Sequence, residues 1–218
     1  MNMKKTLIVV GAGKGLGNAI AREFARHQFR VVLIARNIAH LSQYKAEFEA
    51  DGIETYTKVA DASKPETLTA ALHEIEQELG TPDCLVYNVG VTEPDGDKEL
   101  TNSLLMQRYQ IDCASAWHCA NLISTKDFGA KNGCIIFTGG GFAKTFNPVP
   151  GISVLSVDKA ALNAMNIVLH KLLEPKGIFV GSVIVKGIIN PETEHNAANI
   201  AKHYWKMYED RCEYEVVV

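Results

Sequence analysis

The chain has 218 residues, 47% of them hydrophobic, and a formal net charge of −3. That length suits one domain with a sizeable core. Mild acidity and the lack of a basic run exclude an electrostatic nucleic-acid or membrane surface, and no stretch approaches the roughly 20 apolar residues of a membrane span.

The start, MNMKKTLIVVGAG, sets two lysines before an apolar run, as signal peptides do. The run is short and enters a glycine turn, so it reads as a first strand over 7–10. Continuous apolar runs recur at 31–34, 84–87, 134–137 and 178–185, with a weaker strand at 55–59. Unbroken rather than alternating, they suit a parallel sheet covered on both faces. Residues 64–79 read as an amphipathic helix, because Leu68, Ala71, Leu72, Ile75 and Leu79 share one face. Pro65 falls in its first turn, Ser63 is the expected N-cap, and Gly80 and Pro82 end it. A helix over 197–211 and an edge strand over 213–218 close the chain. The βαβ alternation with right-handed crossovers predicts an α/β fold. Its sheet is doubly wound and mostly parallel, with helices on both faces, in a single domain over 1–218.

The first strand runs into Gly11-Ala12-Gly13-Lys14-Gly15-Leu16-Gly17, followed by a helix. Unpaired amides at a helix N-terminus attract phosphate, and glycines let the backbone approach it. The pattern GxGxxG fails because position 16 is leucine, and a Walker loop fails because Gly15 follows Lys14. GxxxGxG fits, through Gly11, Gly15 and Gly17, and its place at the head of a βαβ unit points to a dinucleotide. The second strand ends Leu33-Ile34-Ala35-Arg36-Asn37, without the acid that holds an NAD ribose. Arg36 suits a 2′-phosphate, and Lys14 adds a second cation, so NADP(H) is expected over NAD(H), which remains possible.

These residues resemble the short-chain dehydrogenase/reductase family over nearly the whole chain, which implies a Rossmann-like fold. The resemblance implies cofactor contacts at Gly11, Gly13, Lys14, Gly15, Leu16 and Gly17. It implies an adenine contact at Asp61, and sites at Asn88 and Gly90 in Tyr87-Asn88-Val89-Gly90, which stands for the family's NNAG. Lys159 matches the lysine of YxxxK that binds the nicotinamide ribose, and Lys186-Gly187 stands where many members have Pro-Gly. The family pairs two long helices, here about 99–125 and 153–173, which implies a homodimer or homotetramer acting on a small-molecule substrate.

The catalytic positions depart from the family. Leu155 replaces the tyrosine, Gly140 is the nearest match to the serine, and Asp112 stands for the helix asparagine; Thr138 offers a hydroxyl two residues early. Lys159, Asp112 and Thr138 are therefore the catalytic candidates, with Asp112 expected to pair with Lys159. The chain resembles a bacterial subgroup with an FTGGG segment and LSxxK in place of YxxxK. Leucine donates no proton, and a positioned acid is worth roughly 10²–10⁴-fold. Ser156, Tyr87 and Tyr109 are possible substitutes, each more readily explained as a helix-face or packing residue. Gly139-Gly140-Gly141 reads as room for close approach to the nicotinamide or a substrate, with a floppy turn as the other reading.

No histidine or cysteine spacing suggests a metal. Five separated cysteines without a CxxC pair suit reduced thiols and a cytoplasmic location. The short segment 190–199, where the family carries a substrate lid, implies an open site. Two functions remain in view. One is an NADP(H)-dependent oxidoreductase for a carbonyl, alcohol or activated alkene, with an unusual proton path. The other is a non-catalytic NADP(H)-binding sensor or partner-binding subunit.

Overall fold

The computed structural model describes residues 4–96, 98–144 and 151–218, Lys144 through its backbone only. Seven parallel strands form one sheet in the order β3-β2-β1-β4-β5-β6-β7. They are β1 (Thr6–Val10), β2 (Arg30–Ala35), β3 (Thr55–Val59), β4 (Cys84–Tyr87), β5 (Cys134–Gly140), β6 (Phe179–Val185) and β7 (Glu215–Val217). The helices are α1 (Leu16–Arg26), α2 (Ile38–Ala50), α3 (Pro65–Leu79), α4 (Asn102–Tyr109), α5 (Ser115–Ile123), α6 (Lys126–Ala130), α7 (Ser153–Leu173) and α8 (Ala197–Asp210). This is the doubly wound α/β arrangement expected, with β7 as the expected edge strand.

Alternate residues of each strand feed two cores, as the period of two requires. Ile8, Val10, Leu85, Tyr87, Ile135 and Phe137 pack under α3, α5 and α7. Leu7, Val9, Val86, Cys134 and Ile136 pack on the other face under α1, α2 and α8. The expected long helix over 99–125 is instead α4 and α5 joined by a π-helical turn, Gln110–Ala114, which carries Asp112. Such turns change the direction of side chains within a helix. Ser63 is not the cap of α3. Its own N–H is bound to Asp61 Oδ1, and Lys64 occupies the cap position without a side-chain hydrogen bond.

The order of winding reverses between β1 and β4, and ligands in such sheets bind at the carboxyl ends of the strands beside that reversal. Gly11 has φ +91°, and a Cβ there would lie 2.6 Å from the Asn88 carbonyl oxygen. A Cβ on Gly17 would lie 2.5 Å from the Gly11 carbonyl oxygen. Both clashes are with backbone, which has no rotamer to escape into. Gly17→Ala should therefore destabilise the fold by about 1–3 kcal/mol, through overpacking, read as a lower urea midpoint. An unchanged midpoint would show that α1 can slide away from the turn.

Candidate functional site

A cleft of about 570 Å³ opens at the reversal point. Gly11, Gly13, Arg36, Asp61, Asn88 and Gly90 lie in its wall, six of the residues expected from sequence. Asn37 and His40 join them from the start of α2, where the Asn37 side chain accepts the His40 N–H. Asp61 accepts the Ser63 N–H at 2.9 Å. Burial alone would raise the Asp61 pKa, but the Ser63 hydrogen bonds and the Arg36 charge outweigh it and hold the carboxyl below its usual range. Lys14 and Gly15 are exposed and stand outside the cleft wall, while Leu16 and Gly17 are buried at the start of α1.

Thr138, Lys159 and Gly187 do not line the cleft. Lys159 is 6% exposed, and its Nζ donates to the carbonyls of Val89 at 2.9 Å and Thr138 at 3.1 Å. It was expected to pair with Asp112; among the described residues its hydrogen bonds go to those two carbonyls, and Asp112 acts on it through charge. Burial lowers the Lys159 pKa, and the two nearby aspartates oppose that. Gly187 adopts φ +81° in open space.

The positions expected to depart from the family pattern are closely packed. A Cβ on Gly140 would lie 2.5 Å from the Phe142 ring, so an aromatic side chain fills the place of a serine. Gly139 abuts Ile184 and Ser182, and Gly141 abuts Lys186. The triple glycine thus accommodates neighbours within the protein, Ile184 and Ser182 of β6, Phe142 and Lys186. Gly139 and Gly140 are also paired strand residues of β5 rather than a floppy turn. Leu155 is 3% exposed in the core. Of the substitute donors, Tyr87 is fully buried with its hydroxyl on the Ile111 carbonyl, and Ser156 bonds back to the Ile152 carbonyl of its own helix. Tyr109 packs half-buried against the core beside Cys113. The Thr138 hydroxyl is also committed, to Asn88 Oδ1 at 2.9 Å and Tyr204 at 2.8 Å.

Two features were hidden in the sequence. Asp95, far from α7 in the chain, accepts the N–H groups of Ser153 at 3.0 Å and Val154 at 2.8 Å. It caps the helix that carries Leu155 and Lys159, doing what no residue at its own N-terminus does. Burial alone would raise its pKa, but these two amides and buried Arg108 hold it low. The second feature is Asp158, which precedes Lys159 directly. It is fully buried, as is Asp112, and the two carboxyls lie within hydrogen-bonding reach of each other. Asp112 Oδ1 accepts the Val91 N–H at 2.8 Å. Its Oδ2 and both Asp158 oxygens have no donor from the protein. A proton on Asp158, donated to Asp112, satisfies two of those atoms at once. Burial, and then the charge of Asp112, push the Asp158 pKa up to about 7, against the pull of Lys159 and Arg108.

That proton has a consequence for stability. Folded Asp158 keeps it to about pH 7, whereas the unfolded chain releases it near pH 4. Between those values the native state binds more protons, so its stability falls as pH rises through the window. Asp158→Asn removes the ionisation. The variant should match the wild type below pH ~4 and exceed it by about 2–4 kcal/mol above pH ~8, measured by urea unfolding. A stability difference independent of pH would show that Asp158 is ionised throughout.

Among proteins of known identity, the family model described as short chain dehydrogenase matches residues 5–202. Sepiapterin reductase of Chlorobaculum tepidum is 37% identical over 118 residues, 47% of this chain and 48% of that protein. The NADPH-dependent 1-acyldihydroxyacetone phosphate reductase of Saccharomyces cerevisiae is 27% identical over 187 residues, 85% of this chain and 61% of that protein. The chain spans about half to three-fifths of the length of these two relatives. A short-chain dehydrogenase structure from Rhodopseudomonas palustris superposes with a TM-score of 0.84 at 25% identity, covering 98% of this chain and 97% of that one.

Proposed function

Because the chain belongs to the short-chain dehydrogenase family, we propose that its cleft binds NADP(H) and that the protein is an oxidoreductase acting on a small carbonyl, alcohol or activated alkene. The observation that carries the reading is the cleft itself. One wall is a glycine turn that admits no side chains at Gly11 and Gly17, and another holds Arg36 where an NAD site would hold an acid. The residues present fit the adenosine half of a phosphorylated dinucleotide. Arg36 takes the 2′-phosphate by its planar fork, Asp61 sits at the adenine, and the turn's amides face the pyrophosphate. Lys14 adds positive charge beside that turn. NAD(H) binds more weakly in this reading.

When bound, such a cofactor supplies hydride. Lys159 is proposed to hold the nicotinamide ribose once its two carbonyl bonds are exchanged, with Gly90 and Gly187 flanking it. Leu155 gives no proton, and Tyr87, Ser156 and Thr138 have their hydroxyls engaged. Substrates that take their proton from water after hydride addition, such as activated alkenes, are therefore the favoured class. Among the described residues no helix is long and apolar enough to cross a membrane, and a cytoplasmic location accords with the unpaired cysteines. Val157, Val168 and Leu172 of α7 and Trp117 of α5 are exposed, which supports pairing of those helices in a homodimer or homotetramer.

A second reading is favoured by one specific arrangement. The serine's place is filled by Phe142 and the tyrosine's by a core leucine, which suits a protein that binds NADP(H) without turnover, as a sensor or a partner-binding subunit. A panel of carbonyl compounds and enones separates the two. The oxidoreductase reading expects NADPH consumption above background with at least one of them, abolished in Lys159→Ala. Silence across the panel with intact NADPH binding leaves the binding protein. Cofactor choice is tested by calorimetry on Arg36→Asp, which should weaken NADPH by about 1–3 kcal/mol more than NADH. Equal losses would remove Arg36 from the 2′-phosphate site.

A further inference from the structure

Tyr204 lies on α8, on the face of the sheet opposite Lys159, and is fully buried. Its hydroxyl meets Thr138 Oγ1 at 2.8 Å. Thr138 Oγ1 is 2.9 Å from Asn88 Oδ1, and Asn88 Nδ2 is 3.1 Å from the Gly11 carbonyl oxygen. The direction of this chain of bonds follows from its last link. The Gly11 carbonyl only accepts, so the Asn88 amide turns its nitrogen there and its oxygen to Thr138. Thr138 must then donate to Asn88, which leaves Tyr204 to donate to Thr138. Burial raises the Tyr204 pKa, so it keeps that proton. Each hydroxyl and amide has one role, and the links run one way from α8 to the glycine turn.

The chain ends at a carboxamide, which does not relay protons under ordinary conditions, so it holds atoms in place. What it holds is the Gly11 carbonyl. That oxygen sits between the turn and α1, 2.5 Å from where a Gly17 Cβ would be. A carbonyl oxygen facing a pyrophosphate repels it, whereas amide N–H groups attract it. Bound to Asn88, the Gly11 carbonyl is kept on the protein side of the turn. A phenylalanine at 204 would fill the same volume, and a buried hydroxyl is costly unless it is used.

We propose that Tyr204 is a positioning residue for the pyrophosphate-binding turn, acting through Thr138 and Asn88 on the Gly11 carbonyl. The inference rests on the cofactor reading above and adds a selectivity to it. Tyr204 matters for a ligand that carries a pyrophosphate. It is indifferent to one that carries only the adenosine and its 2′-phosphate, whose proposed partners Arg36 and Asp61 lie at the ends of β2 and β3.

Calorimetry with NADPH and with adenosine 2′-monophosphate tests this on the full chain. Tyr204→Phe is expected to weaken NADPH about fivefold, the weight of one net hydrogen bond, and to change the monophosphate by less than about twofold. Thr138→Val should show the same selectivity, Thr138→Ser should retain the NADPH affinity that valine loses, and the Tyr204→Phe/Thr138→Val pair should be no weaker than Thr138→Val alone. Equal weakening of both ligands would mean a general loss of structure and overturn the proposal, as would unchanged NADPH affinity in Tyr204→Phe. A wild-type protein that takes up neither ligand sinks the cofactor reading and this inference together. Wild-type binding of both with an insensitive Tyr204→Phe sinks the inference alone.

Discussion

The contact between the Gly11 carbonyl and the Asn88 side chain is the constraint on which the remaining site depends. It ties the end of β1 to the end of β4 where the winding of the sheet reverses, so it sets the mouth of the cleft. It works only because Gly11 can take positive φ and Gly17 has no side chain to meet that carbonyl. Both cores are built to bring those two strand ends together, and every parallel strand delivers its carboxyl end to the same edge.

From that edge an open cleft with Arg36 on its wall runs past Gly90 to Arg108 and Ile111. Beside it the packing is dense, with Lys159 buried among carbonyls and Leu155 in the core. Gly140 and Leu155, expected at the family's serine and tyrosine positions, are each tied to their surroundings. Phe142 takes the space of the one, and the other has become packing for a helix whose start is pinned by Asp95 and Arg108.

The paired aspartates show what replaces neutral polar groups in such a place. Two buried carboxyls with a single protein donor between them, the Val91 N–H, are tolerable only if one of them stays protonated. One shared proton leaves the pair with a single negative charge, matched by the single positive charge of Lys159. The charge balance around that lysine is thus a property of α7 and the π turn together, and it changes near neutral pH.

The strands, the glycine turn and the missing acid at Arg36 were legible in the amino-acid order because each is a local pattern. Continuous apolar runs mean buried parallel strands, and GxxxGxG after the first of them means a close-packed turn into a helix. The expected span of α7, 153–173, came with the family resemblance and matches its observed bounds. Ser63 misled because a good capping residue has other local partners, and the π turn left no periodic trace. Asp158 stood beside Lys159 in plain view, yet nothing in LSVDKAAL says that it faces Asp112, 46 residues earlier. Asp95 capping α7, Tyr204 reaching Thr138 and Phe142 filling the place of a serine are likewise contacts between distant segments. Sequence alone determined the fold class and the glycine turn at the reversal point, since backbone periodicity and glycine sterics act over a few residues. Tertiary structure decided the burial of the paired aspartates, the engagement of the Tyr87, Thr138 and Ser156 hydroxyls and the packing around Lys159, because burial and hydrogen-bond partners exist only once the chain has folded.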